Sequence, residues 1–256
     1  MILFNQIIFG PIHSRRLGLS LGVNLLPVDA KICSFNCIYC ECGFNTTMRE
    51  TPLPTREQVF EALRIKLNQM ATEKNCPDVI TFAGNGEPTL HPEFEQIIDD
   101  TIILRNQYCP SAKVSVLSNA TKIHKPQIFK ALNKIDNNIL KFDSSIDQTM
   151  KLLDQPAGKH ITVAWLIDHL KKFEGNLIIQ TMFLRGEYQG QKIDNSTPEE
   201  VEAWLSAMKA IHPKQIMIYT IDRETPAKQL EKLNVTELNQ IADKARECGF
   251  DVSVAG

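Results

Sequence analysis

Apolar residues in this chain collect into short continuous runs, separated by stretches in which they recur every three or four positions. The runs lie at 21–26 (LGVNLL), 78–83 (DVITFA), 113–118 (KVSVLS), 138–143 (NILKFD), 176–183 (NLIIQTMF), 214–220 (KQIMIYT) and 250–254 (FDVSV). Runs of this length read as strands covered on both faces. The opening, MILFNQIIFGP, reads as a further strand and its exit. Between the runs come helical signals. Thr55 and Gln58 form a capping box ahead of Val59, Leu63, Leu67 and Met70 on one face. His91-Pro92 is expected to open a second helix. Thr197, Pro198 and Glu200 start another, with Val201, Leu205, Met208 and Ile211 on its apolar side. Thr236 is expected to begin the last helix, and Gly249 to stop it. Strands alternating with helices make βαβ units and a parallel sheet. About six such units close part-way into a barrel or lie as an open sheet, and either way ligands bind at the carboxyl ends of the strands.

With 256 residues and no Gly-, Ser- or Pro-rich linker, the chain fits one large α/β domain or two small ones. The longest stretch without a regular pattern, 27–54, carries four of the seven cysteines. A loop of that length in a compact domain is usually functional. The net charge of −2 and pI near 6.3 argue against a nucleic-acid-binding surface over the whole protein. No run of about 18 apolar residues is present, so no membrane partner is expected. The amino-terminal segment lacks the basic region of an export signal, which leads to the expectation of a cytoplasmic protein. In that compartment disulfides are disfavoured and clustered cysteines point to metal or catalysis.

Cys33, Cys37 and Cys40 stand at Cx3Cx2C spacing, followed by Cys42. Thiolates suit zinc and iron–sulfur clusters. A structural zinc site takes four ligands, typically in two pairs, and no second pair exists: Cys76, Cys109 and Cys248 are isolated and no His pair accompanies them. Three thiolates on a four-iron cluster would leave one iron open, as a catalytic metal site does. A zinc knuckle and unligated thiols stay open as readings of the spacing alone. Cys42 is either a bystander or a fourth ligand that would close the cluster. A second motif, Gly84-Asn85-Gly86-Glu87-Pro88, follows the run at 78–83. Its glycines permit a tight turn, and Glu87 would project at the end of a strand, where an acidic group and exposed carbonyls suit an ammonium group.

The two motifs together resemble the signature of the radical S-adenosylmethionine (SAM) superfamily: Cx3Cx2C with an aromatic, Tyr39, before the last cysteine, and a GGEP-like turn in which Asn85 replaces the first Gly. The resemblance implies a partial (β/α)6 barrel of mainly parallel strands. It also implies a [4Fe–4S] cluster on Cys33, Cys37 and Cys40, whose fourth iron takes the amino and carboxylate groups of SAM. Tyr39 would lie against the adenine, the 84–88 turn would bind the SAM amino group, and Asn119 and Ser144, after the next two strands, would contact ribose and carboxylate. The implied chemistry is reductive cleavage of SAM to methionine and a 5′-deoxyadenosyl radical that takes hydrogen from substrate. An external flavodoxin- or ferredoxin-like one-electron donor would feed it. The whole chain is expected to be one such domain: extension 1–20, core 21–220, and a final helix and strand at 221–256.

The likeness extends to Phe9–Gly18, Gln180–Gly186 and Ile221–Pro226, which are similar to an Fe–S oxidoreductase group related to the wybutosine-pathway tRNA enzymes. His13 stands where that group often has Pro, and Asp222-Arg223-Glu224 interrupts an Arg-Pro-Pro-like turn. The wybutosine enzymes use a second cluster, and this chain has no second cysteine triad. Arg15, Arg16, Lys31 and Arg49 are too few to favour nucleic acid over a small molecule or peptide as substrate. Lys141 is costly to bury within Leu140–Asp143 unless paired. Strand alternation puts Asp143 on the same side, so the two are expected to form a catalytic polar pair facing the barrel interior. Arg15 and Arg16 are candidates for anionic substrate groups. Trp165 and Trp204 are read as packing residues, and the six histidines as caps or surface residues. A rival function is electron transfer or redox sensing, with Cys42 as fourth ligand and no SAM turnover.

Overall fold

A computed structural model describes residues 2–14, 17–46 and 50–256. Its principal sheet has the order β1-β2-β3-β4-β5-β6-β9-β11, comprising β1 (Ile8–Ser14), β2 (Gly18–Val23), β3 (Val79–Phe82), β4 (Lys113–Ser118), β5 (Asn137–Lys141), β6 (Ile178–Met182), β9 (Gln215–Tyr219) and β11 (Val252–Ala255). Only β1 runs antiparallel to its neighbour. The other pairs are parallel. The sheet curls into a half barrel, so of the two arrangements that the spacing allows, the partial barrel is the one adopted.

The crossovers carry α1 (Arg56–Thr72), α2 (Phe94–Tyr108), α3 (Pro126–Lys134), α4 (Asp147–Asp154) with α5 (Val163–Leu170), α6 (Pro198–Ile211) and α7 (Val235–Glu247). Helices pack one face of the strands while the other faces inward, which is why β3 is buried at every position. Ile80, Phe82, Val114, Val116, Leu140, Ile179, Ile216 and Ile218 are all sealed from solvent. The Thr55–Gln58 capping box forms as the sequence indicates, as does the Thr197 cap. His91-Pro92 does not open a helix. Pro88–Leu90 forms a 3₁₀ turn and α2 begins at Phe94, because the buried His91 accepts the Glu93 amide at Nδ1 and holds Pro54 O at Nε2. The last helix is capped by Asn234, not Thr236, and Gly249 at φ +90° follows its end.

A second, three-stranded antiparallel sheet, β10-β7-β8, was not evident from the sequence; it comprises β7 (Leu184–Tyr188), β8 (Gln191–Asp194) and β10 (Leu230–Lys232). It sits beyond the ends of β6 and β9, tied by Asn195 to Asp143 O and Met182 O at 2.8 and 2.7 Å. Cys76 and Cys109 are joined in a disulfide, which corrects the expectation that both are isolated thiols. They are 33 residues apart, but α1 and α2 pack side by side, so the loop into β3 and the end of α2 meet. No helix of the described residues is long and apolar enough to cross a membrane.

Candidate functional site

The carboxyl ends of the strands carry the site. The cysteine loop is fixed to the turn after β3 by a parallel bridge: Ile32 N donates to Asn85 O at 2.9 Å, and Glu87 N donates to Ile32 O at 3.1 Å. Gly86 lies at φ +135°, and a Cβ there would stand 1.8 Å from Ile32 O, so the close approach itself requires glycine. On the other side Asn24, just past β2, accepts the Asn85 amide at 3.0 Å. The two motifs, about fifty residues apart in sequence, are therefore one backbone unit.

Beside this unit opens a cavity of about 280 Å³ whose walls include Cys33, Cys37 and Cys40, with Cys42 and Lys31 from the same loop. Gly84, Gly86 and Glu87 line it from the turn, and Asn119 and Lys141 from the ends of β4 and β5. Asn119 donates to Cys33 Sγ at 3.3 Å and to Ser34 Oγ at 2.9 Å. Glu87 is buried. Its Oε1 accepts from Thr89 N, Thr89 Oγ1 and Ser118 Oγ, while Oε2 accepts from Asn119 N at 2.7 Å. Three donors crowd Oε1, whereas Oε2 has two lone-pair sites and one donor, so any further donor would go to Oε2.

Other expected site residues lie elsewhere. The Asn85 side chain is fully buried away from the cavity, bonded to Phe4 N and O and to Pro27 O. Pro88 is buried in the 3₁₀ turn. Ser144 Oγ points to Glu200 Oε2 at 2.7 Å, on α6. Arg15, Arg16 and Arg49 lie outside the described residues. Lys31, considered above as a surface phosphate contact, is only 2% exposed and faces the cavity.

Lys141 and Asp143 do meet, with Nζ 3.3 Å from Oδ2. Tyr39 joins them: its hydroxyl donates to Asp143 and accepts from Lys141, and the ammonium lies 4.5 Å from the ring centroid. Asp154, at the end of α4, was missed by the sequence reading. It lies 3.9 Å from Lys141 and accepts from Cys37 Sγ at 3.3 Å. An acid that reaches a cysteine 117 residues away leaves no local pattern. Burial, then the Asp143 charge, pushes the Asp154 carboxyl up to about 8. Burial alone would lower Lys141, but Asp143 and Cys37 outweigh it and raise it.

The sulfurs sit in uneven surroundings. Burial, then Glu87, pushes Cys33 up to about 12, and burial raises Cys37 strongly. Cys40 is lowered to about 5, first by the neighbouring Cys42 thiol and then, against burial, by Lys31. Among the described residues no three His, Cys, Asp or Glu side chains converge closely enough to hold one metal ion. Cys33, Cys37 and Cys40 are outside any disulfide and line one cavity, and three such thiols are the donor type an iron–sulfur cluster takes.

No family model matches the sequence. A UPF0026 protein of Helicobacter pylori is 30% identical over 242 residues, covering 91% of this chain and 71% of that protein. The chain belongs to the UPF0026 family. A protein named GTPase Obg from Brachyspira hyodysenteriae is also 30% identical, over 253 residues. This chain spans only 35% of that relative's length, and about 70% of the UPF0026 relatives'. Among solved structures, this UPF0026 protein superposes on a radical SAM methyltransferase of Sphaerobacter thermophilus with TM-score 0.66, at 13% identity over 92% of this chain and 65% of the other. Streptococcus suis SuiB bound to S-adenosylmethionine gives 0.63 at 12% identity, over 91% of this chain and 51% of SuiB. The wybutosine-pathway protein TYW1, solved with a lysine–pyruvate adduct, gives 0.62 at 17% identity, over 89% of this chain and 73% of TYW1. The fold is therefore that of the radical SAM enzymes.

Proposed function

We propose that this protein is a radical SAM enzyme whose Cys33, Cys37 and Cys40 hold a [4Fe–4S] cluster. The observation that carries the reading is the shared cavity, in which the three thiols and the Gly84–Pro88 turn are locked together by the Ile32–Gly86 bridge. Bound there, such a cluster supplies the electron that splits SAM into methionine and a 5′-deoxyadenosyl radical, which takes hydrogen from substrate. The chain's own groups hold and shield the reactants. Gly84, Gly86 and Glu87 line the wall proposed for the SAM amino group, and Glu87 Oε2 is the oxygen that would take its N–H. Tyr39 presents a ring fixed by Lys141 and Asp143. Those two form the catalytic polar pair of the proposal, with Lys141 reaching the cavity where substrate would lie. Asn119 adds a donor at the end of β4. Asn85, Pro88 and Ser144 serve instead by holding the backbone that carries these groups.

An external flavodoxin- or ferredoxin-like protein would supply the electron. The substrate is a small molecule or peptide. SuiB has been solved with its precursor peptide SuiA, so the fold admits a peptide, and Lys31 is withdrawn from the few candidate phosphate contacts. The rival reading of an electron carrier makes Cys42 a fourth ligand. Cys42 lines the same cavity but donates to Gly84 O at 3.3 Å, at the turn proposed for SAM.

Anaerobic reconstitution with iron and sulfide, followed by dithionite and SAM, tests these readings. About four irons per chain, with 5′-deoxyadenosine formed by the wild type and absent from Cys37→Ala, are expected. In Lys141→Met the iron should be retained while 5′-deoxyadenosine falls at least about tenfold. A full cluster with no SAM cleavage would favour the electron carrier. Zinc in place of iron in anaerobically isolated protein would overturn both.

A further inference from the structure

Lys31 is among the largest fully buried side chains of the protein, at 2% exposure. Its backbone is held by Thr46, whose Oγ1 accepts from Lys31 N at 3.0 Å and whose amide donates to Lys31 O at 3.2 Å. The side chain runs inward along the cysteine loop, and Nζ donates to Gly43 O at 2.6 Å. Among the described residues no carboxylate lies within 4.0 Å of it. An ammonium has three donors, and a buried one is retained only when paired with negative charge. Lys31 shares the cavity wall with four sulfurs, those of Cys33, Cys37, Cys40 and Cys42, and its Nζ is anchored at Gly43 O, three residues past Cys40. Lys141, the other cation lining the cavity, is already committed to Asp143 and Asp154.

Resting on the radical SAM reading, we propose that Lys31 is the fixed counter-charge of the iron–sulfur site, a positioning residue that holds the cluster's negative charge in place and eases its one-electron reduction. Three thiolates bring anionic charge into a cavity that also contains buried Glu87. One further electron from the external donor makes that site more negative still. A cation fixed beside the sulfurs favours the more negative, reduced state, since net charge and hydrogen bonds to sulfur are among the levers on cluster potential. Lys31 thus opposes the barrier that Glu87 and burial raise against reduction, with no carboxylate of its own to cancel it.

The test is an anaerobic redox titration followed by electron paramagnetic resonance on reconstituted wild type, Lys31→Met and Lys31→Arg. Iron per chain and circular dichroism are measured on each. At the wild-type midpoint, the reduced-to-oxidised ratio in Lys31→Met should fall about tenfold, a downward shift of ~59 mV for a one-electron couple. Lys31→Arg should stay nearer the wild type. Loss of iron from a folded Lys31→Met that Lys31→Arg retains would equally support a role for the charge. An unshifted midpoint in an iron-loaded Lys31→Met would overturn the inference and leave the functional reading standing. Equal loss of iron in both variants would also overturn it, assigning Lys31 to packing. A wild type that takes up no cluster would sink the functional reading and this inference together.

Discussion

At Gly86 the backbone of the turn comes so close to the cysteine loop that a methyl group has nowhere to go: Ile32 O would lie 1.8 Å from it, Ile32 C 2.5 Å, and φ is +135°. The obstruction is backbone on both counts, so no rotamer change relieves it. Gly86→Ala therefore has to break the Ile32–Gly86 bridge or shift the loop. Left-handed strain alone costs on the order of 1–3 kcal/mol. The expected result is a lower melting temperature together with iron per chain reduced to less than about half, read by thermal unfolding and metal analysis of the reconstituted protein. Full iron at wild-type stability would mean that the bridge does not hold the triad. Gly86 was legible in the sequence because a short motif follows a strand. What it touches was not, since Ile32 belongs to the irregular loop and carries no signal of its own.

Among the elements, α7 shows how a charge can matter without burial. Its cap Asn234 accepts from Glu237 N at 2.9 Å, and Glu237 answers Asn234 N at 2.8 Å while also pairing with Arg185 on β7. The Asn234 backbone bond, then Arg185, lowers the Glu237 carboxyl below its usual value. A carboxyl lowered in the folded state adds stability above its unfolded pKa, and loses it as pH falls through the folded value. Glu237→Gln keeps a capping side chain but not the charge. Its melting temperature should lie below wild type at pH 7, and the gap should close as pH drops below about 4. A gap that persists at low pH would assign the effect to packing. The pairing also explains why this cap was misplaced: Asn234-x-x-Glu237 competes with Thr236 as a start signal, and only the tertiary partner decides. Elements with strong periodicity, such as α1 and α6, were legible along with the parallel strands. The short α3, α4 and α5, and the three-stranded sheet, were not. Eight or nine residues give too few repeats, and β7 continues directly from the apolar run that makes β6.

Across the whole molecule the cysteine loop is the hub of the mouth. Asn36 N donates to Asp154 O and Ile38 N to Leu153 O, fastening it to α4, and Ala157 N returns a bond to Ser34 O. Ala227 N donates to Ile38 O, and Arg223 pairs with Glu41 at 2.7 Å, drawing in the segment before β10. Ile2 N reaches Glu41 O, and Ser34 Oγ lies 2.5 Å from Thr121 Oγ1 beyond β4. Segments far apart in sequence thus share one loop that has no regular structure to stabilise it. On the proposed reading, a cluster on its thiols would add a further anchor to these. Cluster loading should therefore protect the loop, the end of α4 and the 222–228 segment as one unit, whereas α1, α2 and α7, which rest on the sheet's outer face, gain little. Hydrogen exchange of iron-loaded against chelator-treated protein reads this directly. Exchange at Ile38, Asn36 and Ala227 should slow by at least about tenfold on loading, a difference of ~1.4 kcal/mol in local opening. A uniform slowing over all helices would show instead that the metal site stabilises the fold globally. The half barrel would then need its cluster to stand, rather than holding a mouth ready to receive it.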